Sequence, residues 1–190
     1  DRLRSRGLGD VYKRQIKNAV PFLHQDPDSD EILGQCEESG RDQGHATLCV
    51  SLMGAFCQMA YSIGEDLFAF DNYRAVAMAE YVGKYNLIKD EAFNKGTLVG
   101  DDFVYDSNSF PYTSYSNPSY TNTTISTDQR GTKRPAWELF YGYCKAKGIS
   151  SIYSGKWAEQ MRPDGGGGNY GPNSGGFDQL GFGTLMYYRE

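Results

Sequence analysis

Leu48, Cys49, Leu52, Met53, Phe56, Met59 and Ala60 recur three and four residues apart, which places them along one stripe of an α-helix. No strand, whose faces alternate every two residues, accommodates that pattern. The spacing predicts a helix from Asp42 or Gln43 to Ile63, stopped by Gly64. Immediately before it stands Glu37-Glu38-Ser39-Gly40-Arg41-Asp42-Gln43-Gly44-His45. Three acids, an arginine, an amide and one of only two histidines thus meet where a helix begins. Backbone N–H groups there lack intrahelical partners and the helix dipole is positive, which suits an anion or a tuned side chain. A capped helix entry with surface ion pairs explains the same residues.

A second helix is expected over 71–85, capped by Asp71 or Asn72, with Ala75, Met78, Ala79 and Val82 as its apolar stripe. The short connection favours an antiparallel pair, and Gly54 and Gly83 would let the two helices approach closely. A third helix begins at Arg134 or Pro135 and runs to Lys147, where Gly148 stops it. A short one covers 156–161. Residues 16–23 read as the end of a helix and 24–30 as a turn, which makes His24 a solvated loop residue.

Between 97 and 132 the helical period disappears and Ser, Thr, Asn, Pro and Tyr dominate. A loop of that length in a compact domain is functional or disordered, and its tyrosines argue for function. Asn122-Thr123-Thr124 is a lone glycosylation sequon. The Gly-rich run at 164–176 lacks the Lys-Ser/Thr of a phosphate-binding loop, and 183–188 reads as a strand or an extended tail. Helical hairpins joined by long polar loops give the fold expectation: an all-α chain forming a partial (α/α) barrel or toroid.

The 190 residues suffice for one domain with a core. Residues 1–15 show no amphipathic period and resemble translated adapter sequence, so they are expected to be a non-native tail; residues 16–190 carry the domain. That tail holds five Lys/Arg and two Asp. Without it 14 basic residues face 22 acidic ones and the net charge moves from −5 to −8. No basic face is evident, which excludes nucleic acid as a partner. No apolar run approaches ~18 residues, so no membrane-spanning helix is expected. Cys36, Cys49, Cys57 and Cys144 form no metal-binding pattern; Cys49 and Cys57 read as small core residues.

Four blocks carry a resemblance. They are the Glu-Ser-Gly-Arg-Asp-Gln-Gly-His run, Ala79-Glu80-Tyr81-Val82-Gly83-Lys84-Tyr85-Asn86, Arg134-Pro135-Ala136-Trp137-Glu138, and the Gly-Gly-Phe-Asp-Gln-Leu-Gly-Phe-Gly-Thr-Leu run at 175–185. In this order they are similar to the bacterial alginate lyase-like polysaccharide lyases. The resemblance implies an α/α toroid in the periplasm or outside the cell, acting on an acidic polysaccharide. It also implies an upstream Asn- and His-containing segment, which nothing here matches. The chain is therefore expected to be the C-terminal part of a larger enzyme, and this part alone to be inactive.

Such a lyase neutralises the carboxylate of a uronic acid, removes the C5 proton and protonates the leaving O4. No metal or other cofactor is required. His45 is the candidate base or carboxylate neutraliser; Tyr115, then Tyr112, is the candidate acid/base, with Tyr81 the fallback although its setting reads as packing. Glu38, Arg41, Gln43, Arg130 and Arg134 are candidate substrate-binding residues, and the resemblance implies roles for Glu38 and His45. Two other classes compete. A hydrolase on the same scaffold would use two of Asp101, Asp102 and Asp178. A non-catalytic sugar-binding protein would keep the tyrosine loop and tolerate loss of His45.

Overall fold

The computed structural model describes residues 2–93, 95–117 and 120–161. They are mostly helical, in the order α1 (Arg2–Ala19), β1 (Phe22–Gln25), β2 (Ile32–Gln35), α2 (Gln43–Ser62), α3 (Phe70–Asn86), β3 (Tyr115–Asn117), β4 (Tyr120–Asn122), α4 (Trp137–Lys147) and α5 (Ile152–Met161). The all-α expectation needs correcting, because β1–β2 and β3–β4 are antiparallel hairpins.

The centre is α3, which packs against β2, α5, α2, α1 and α4. Every residue from Ala75 to Asn86 is buried, so this helix has a core on all sides instead of one apolar stripe. Its entry also departs from the expected cap. Asp71, Asn72 and Tyr73 adopt left-handed backbone with φ of 51°, 57° and 61°. Such residues strain the chain by about 1–2 kcal/mol each. Asp71 does not cap; its carboxylate takes Arg74 Nε at 2.5 Å and lies 3.6 Å from Lys17 Nζ.

The expected turn at 24–30 is partly strand. Val20 follows α1 into the core, and Phe22 pairs with Gln35 to open the β1–β2 hairpin. Buried Asp26 ties its turn by accepting from Asp28 N at 3.0 Å and Ser29 Oγ at 2.8 Å. Gly34 lets β2 lie on α3, since an added Cβ would stand 2.8 Å from Met78 N. The tail expected at 1–15 lies largely within α1, with Tyr12 edge-on to Phe56 at 5.2 Å.

Helix α2 matches its expected span, and its N-cap is Asp42. Gly54 does not serve the α2–α3 contact; it faces Leu139 and Phe140 of α4, while Gly83 faces Trp137 and Tyr153. Gly148 closes α4 in left-handed backbone, φ 67°, as its position required. Helix α5 starts four residues before the expected point. Its first N–H groups, on Tyr153 and Ser154, donate at 2.8 and 2.9 Å to the buried Glu80 carboxylate. The cap comes from α3 and leaves no local sequence signal. The expectations for 164–176 and 183–188, Asp178 and the 175–185 block lie outside the described residues.

Candidate active site

The polar nonapeptide folds as a 3-10 turn, Glu37–Gly40, leading through Arg41 into α2. Asp42 stands in extended backbone and uses both carboxylate oxygens. One accepts from the His45 backbone N–H at 2.7 Å and caps the helix. The other lies 2.6 Å from His45 Nδ1. An ionised carboxylate only accepts, so Nδ1 carries the proton and Nε2 keeps its lone pair. Asp42 is buried and His45 is 39% exposed, so the imidazole is oriented from below and open to solvent above. Arg41, 46% exposed, reaches Glu38 at 3.4 Å and Asp42 at 3.7 Å. Burial, then the neighbouring Glu38, raises the carboxyl of Glu37 above its ordinary value.

Gln43 is buried and its amide is engaged inside the protein. It donates to Ser39 O at 3.0 Å and Ser126 O at 3.1 Å, and accepts from Asn86 Nδ2 at 2.9 Å. These bonds tie α2, α3 and the polar loop together at the residue expected to contact substrate. Both loop arginines are likewise occupied. Arg130 donates to Tyr85 O at 2.7 Å and Tyr105 O at 2.6 Å, with its guanidinium against the Tyr85 and Phe103 rings. Burial lowers its pKa from the ordinary value. Arg134 is buried against the first turn of α2, reaching Thr47 Oγ1 at 3.3 Å and Gly44 O at 3.4 Å. Each guanidinium bonds groups inside the protein and holds the loop or α4 in place.

The tyrosines separate. Tyr112 packs its hydroxyl on Gly40, within the polar turn, and donates to Asn122 O at 3.4 Å. Burial raises its pKa above the ordinary value. Tyr115 lies on β3, edge-on to Phe22 at 6.0 Å. Tyr81 is fully buried and donates to Pro111 O at 2.7 Å; burial lifts its pKa well above the ordinary range. Tyr112 also lines a cleft of ≈ 420 Å³ with Ser107, Asn108, Thr123, Thr124 and Thr127. A larger groove of ≈ 610 Å³, beside Leu87, Phe93 and Lys156, holds none of the nominated residues.

Gly40 needs its missing side chain here. A Cβ would overlap the Tyr112 hydroxyl and stand 2.5 Å from Asn122 Cβ. Gly40→Ala is expected to cost about 1–3 kcal/mol by overpacking, measured as a fall in ΔG by urea denaturation. A change under ~0.5 kcal/mol would show that the loop yields freely.

Sequence reasoning missed His24. It lies on β1, stacked on Tyr81 at 6.0 Å, with Nε2 2.9 Å from Gln35 Oε1. Gln35 cannot be flipped: its Oε1 accepts from Thr113 N at 2.7 Å and its Nε2 donates to Thr113 O at 2.8 Å. The proton of His24 is therefore on Nε2, the opposite tautomer to His45. Neither the stacking nor Gln35, which pins the tyrosine loop, leaves a mark in the local sequence.

Of the acids of the hydrolase reading, Asp101 and Asp102 lie among the described residues. Asp101 is exposed, and Asp102 accepts from Val99 N at 2.9 Å within its own turn. The sequon asparagine, Asn122, has its Nδ2 buried and so does not present it for glycosylation. Among the described residues no group of three or more His, Cys, Asp or Glu side chains is placed to hold a metal ion, and no helix is long and apolar enough to cross a membrane. Comparison with protein-family models, curated proteins and solved structures gave no match to the chain.

Proposed function

We propose that this chain belongs to an alginate lyase-like polysaccharide lyase with an (α/α) toroid fold, exported to the periplasm or beyond, that cleaves a polyuronate by β-elimination. The observation that carries the reading is the Asp42–His45 pair beside the Gly40–Tyr112 contact. Asp42 fixes the imidazole so that Nε2 takes the C5 proton of a bound uronate. The electron pair left behind forms the C4–C5 double bond as the C4–O4 bond breaks. Tyr112, protonated at neutral pH as a phenol is, gives its proton to O4. Arg41 pairs with the substrate carboxylate and stabilises the charge that builds on it, with Glu38 steadying the guanidinium.

In this reading Tyr112 takes the role first assigned to Tyr115, because it reaches the polar turn. The hydroxyl-lined cleft beside it receives sugar through hydrogen bonds.

The test uses polymannuronate, polyguluronate and polyglucuronate. Elimination produces an unsaturated uronate that absorbs in the ultraviolet, and the band should grow with the new reducing ends. Reducing ends without the band would mean hydrolysis. Saturable binding without either product would favour a sugar-binding protein.

A further inference from the structure

Tyr112 joins two unlike surroundings. Its hydroxyl packs on Gly40, whose neighbour in the polar turn is the half-exposed cation Arg41. Its side chain also lines the cleft of ≈ 420 Å³, a volume within the usual range of ligand pockets, about 300–1,000 Å³. There Phe110 and Ile125 are buried and form an apolar floor, while Asn108, Thr123, Thr124 and Thr127 are exposed and form a polar rim. Among the described residues none of the lining side chains is charged. The charge bonded to this lining is negative: exposed Asp106 accepts from Asn108 N at 2.9 Å and Asn108 Nδ2 at 3.1 Å. Arg130, the cation of the same loop, does not line the cleft and is bonded to Tyr85 O and Tyr105 O.

The order of bonds in an elimination gives this asymmetry a meaning. The oxygen that leaves C4 of the uronate departs attached to C1 of the neighbouring sugar. The group that protonates it therefore stands between the uronate and the departing sugar. Resting on the lyase reading with Tyr112 as the acid, the uronate lies on the side of Arg41 and the departing sugar lies in the cleft. We propose that the cleft is a subsite for a neutral hexose on the leaving side of the bond, and that the preferred polymer alternates a neutral sugar with a uronate.

The chemistry of the lining fits that ligand. A hexose offers C–H groups to an apolar floor and hydroxyls to an amide and threonines at the rim. Changing its C6 hydroxymethyl group to a carboxylate would bring a charge out of water with no cation to receive it. The same carboxylate would meet the negative charge of Asp106, a repulsion that sharpens the choice between the two sugars.

The experiment gives the full chain matched pairs of 4-linked tetrasaccharides built on mannuronate, guluronate and glucuronate. One member of each pair is all uronate; the other has the hexose of the same configuration at its first and third positions. The members differ only at C6 of those residues. In at least one pair kcat/KM for elimination, followed in the ultraviolet, should favour the alternating member by about tenfold. Thr124→Lys, at an exposed position, should shrink or reverse that preference. Equal rates, or faster cleavage of every all-uronate member, would overturn the proposal. Elimination from no tetrasaccharide would instead count against the lyase reading, and binding would then decide the subsite. The threonine methyl resonances of residues 123, 124 and 127 should shift saturably with an alternating tetrasaccharide and less with its all-uronate partner. Methyl resonances unmoved by every alternating member, or moved as much by the all-uronate ones, would overturn it.

Discussion

His45→Gln is expected to lower the elimination rate by ~100-fold or more, the range typical of a general base. Glutamine offers no nitrogen able to take a proton from carbon. The substitution should leave the fold intact, because His45 is 39% exposed and the cap to Asp42 runs through its backbone N–H. The loss should appear in kcat more than in KM, since the base acts in the transition state. Asp42→Asn makes a useful companion. Asparagine still caps a helix well, so stability should stay within ~0.5 kcal/mol. Its amide nitrogen facing Nδ1 would push the imidazole towards the other tautomer, and turnover should fall although His45 itself is untouched. Equal turnover in both variants and the parent would remove the dyad from the mechanism.

Lys84→Met is the substitution expected to damage the fold most. Lys84 is 1% exposed on α3 and pairs with buried Asp26 and with Asp28, the latter at 2.5 Å. Tyr153 of α5 donates to Asp26 at 2.7 Å, and Lys84 Nζ lies 4.6 Å from the Tyr105 ring centroid. One cluster thus joins the β1–β2 turn, α3, α5 and the polar loop. Removing its cation leaves an ionised carboxylate in the interior, which costs about 3–5 kcal/mol. Urea denaturation of both proteins gives the number.

The same cluster fixes how stability depends on pH. Burial pushes Asp26 upward, but bonds from Lys84, the Asp28 amide, Tyr153 and Ser29 outweigh it and leave the carboxyl below its ordinary value of 3.8. Its contribution is therefore complete above that value and lost as the pH falls through the lowered one. Burial depresses Lys84, yet Asp26 and Asp28 raise it above 10.5. That contribution is complete below 10.5 and lost as the pH rises through the raised value. In the Met variant Asp26 favours its protonated form, so the difference from the parent should shrink in acid.

Much of this arrangement could be read from the chain wherever the cause is local. The span of helix α2 is announced by helical spacing, an Asp at the cap and Gly64 beyond its end, but its buried face is not the expected stripe: Val50, Gly54 and Cys57 turn inward while Leu52 and Met59 are exposed; α4 is stopped by Gly148. The polar nonapeptide was recognisable as a helix entry, and the Asp-x-x-His spacing that builds the dyad was present in it. What stayed hidden depends on distant partners. The start of α5 is capped by Glu80, 73 positions upstream, and β1 exists because β2, itself seated on α3, pairs with it. Gln43, Arg130 and Arg134 look like ligand-binding residues in sequence because a polar side chain engaged inside the fold and one offered to a ligand are spelled alike. Tyr112 and Tyr115 share one motif, and only the contact with Gly40 separates them.

The central claim is that Asp42 presents His45 with its Nε2 lone pair outward. A long-range proton–nitrogen correlation spectrum of the two histidine rings tests it without any assay. Near pH 8, well above the pKa of about 6.5 of a free imidazole, His45 should show its proton on Nδ1 and His24 its proton on Nε2. A His45 ring protonated on Nε2, or exchanging evenly between the two nitrogens, would contradict the account.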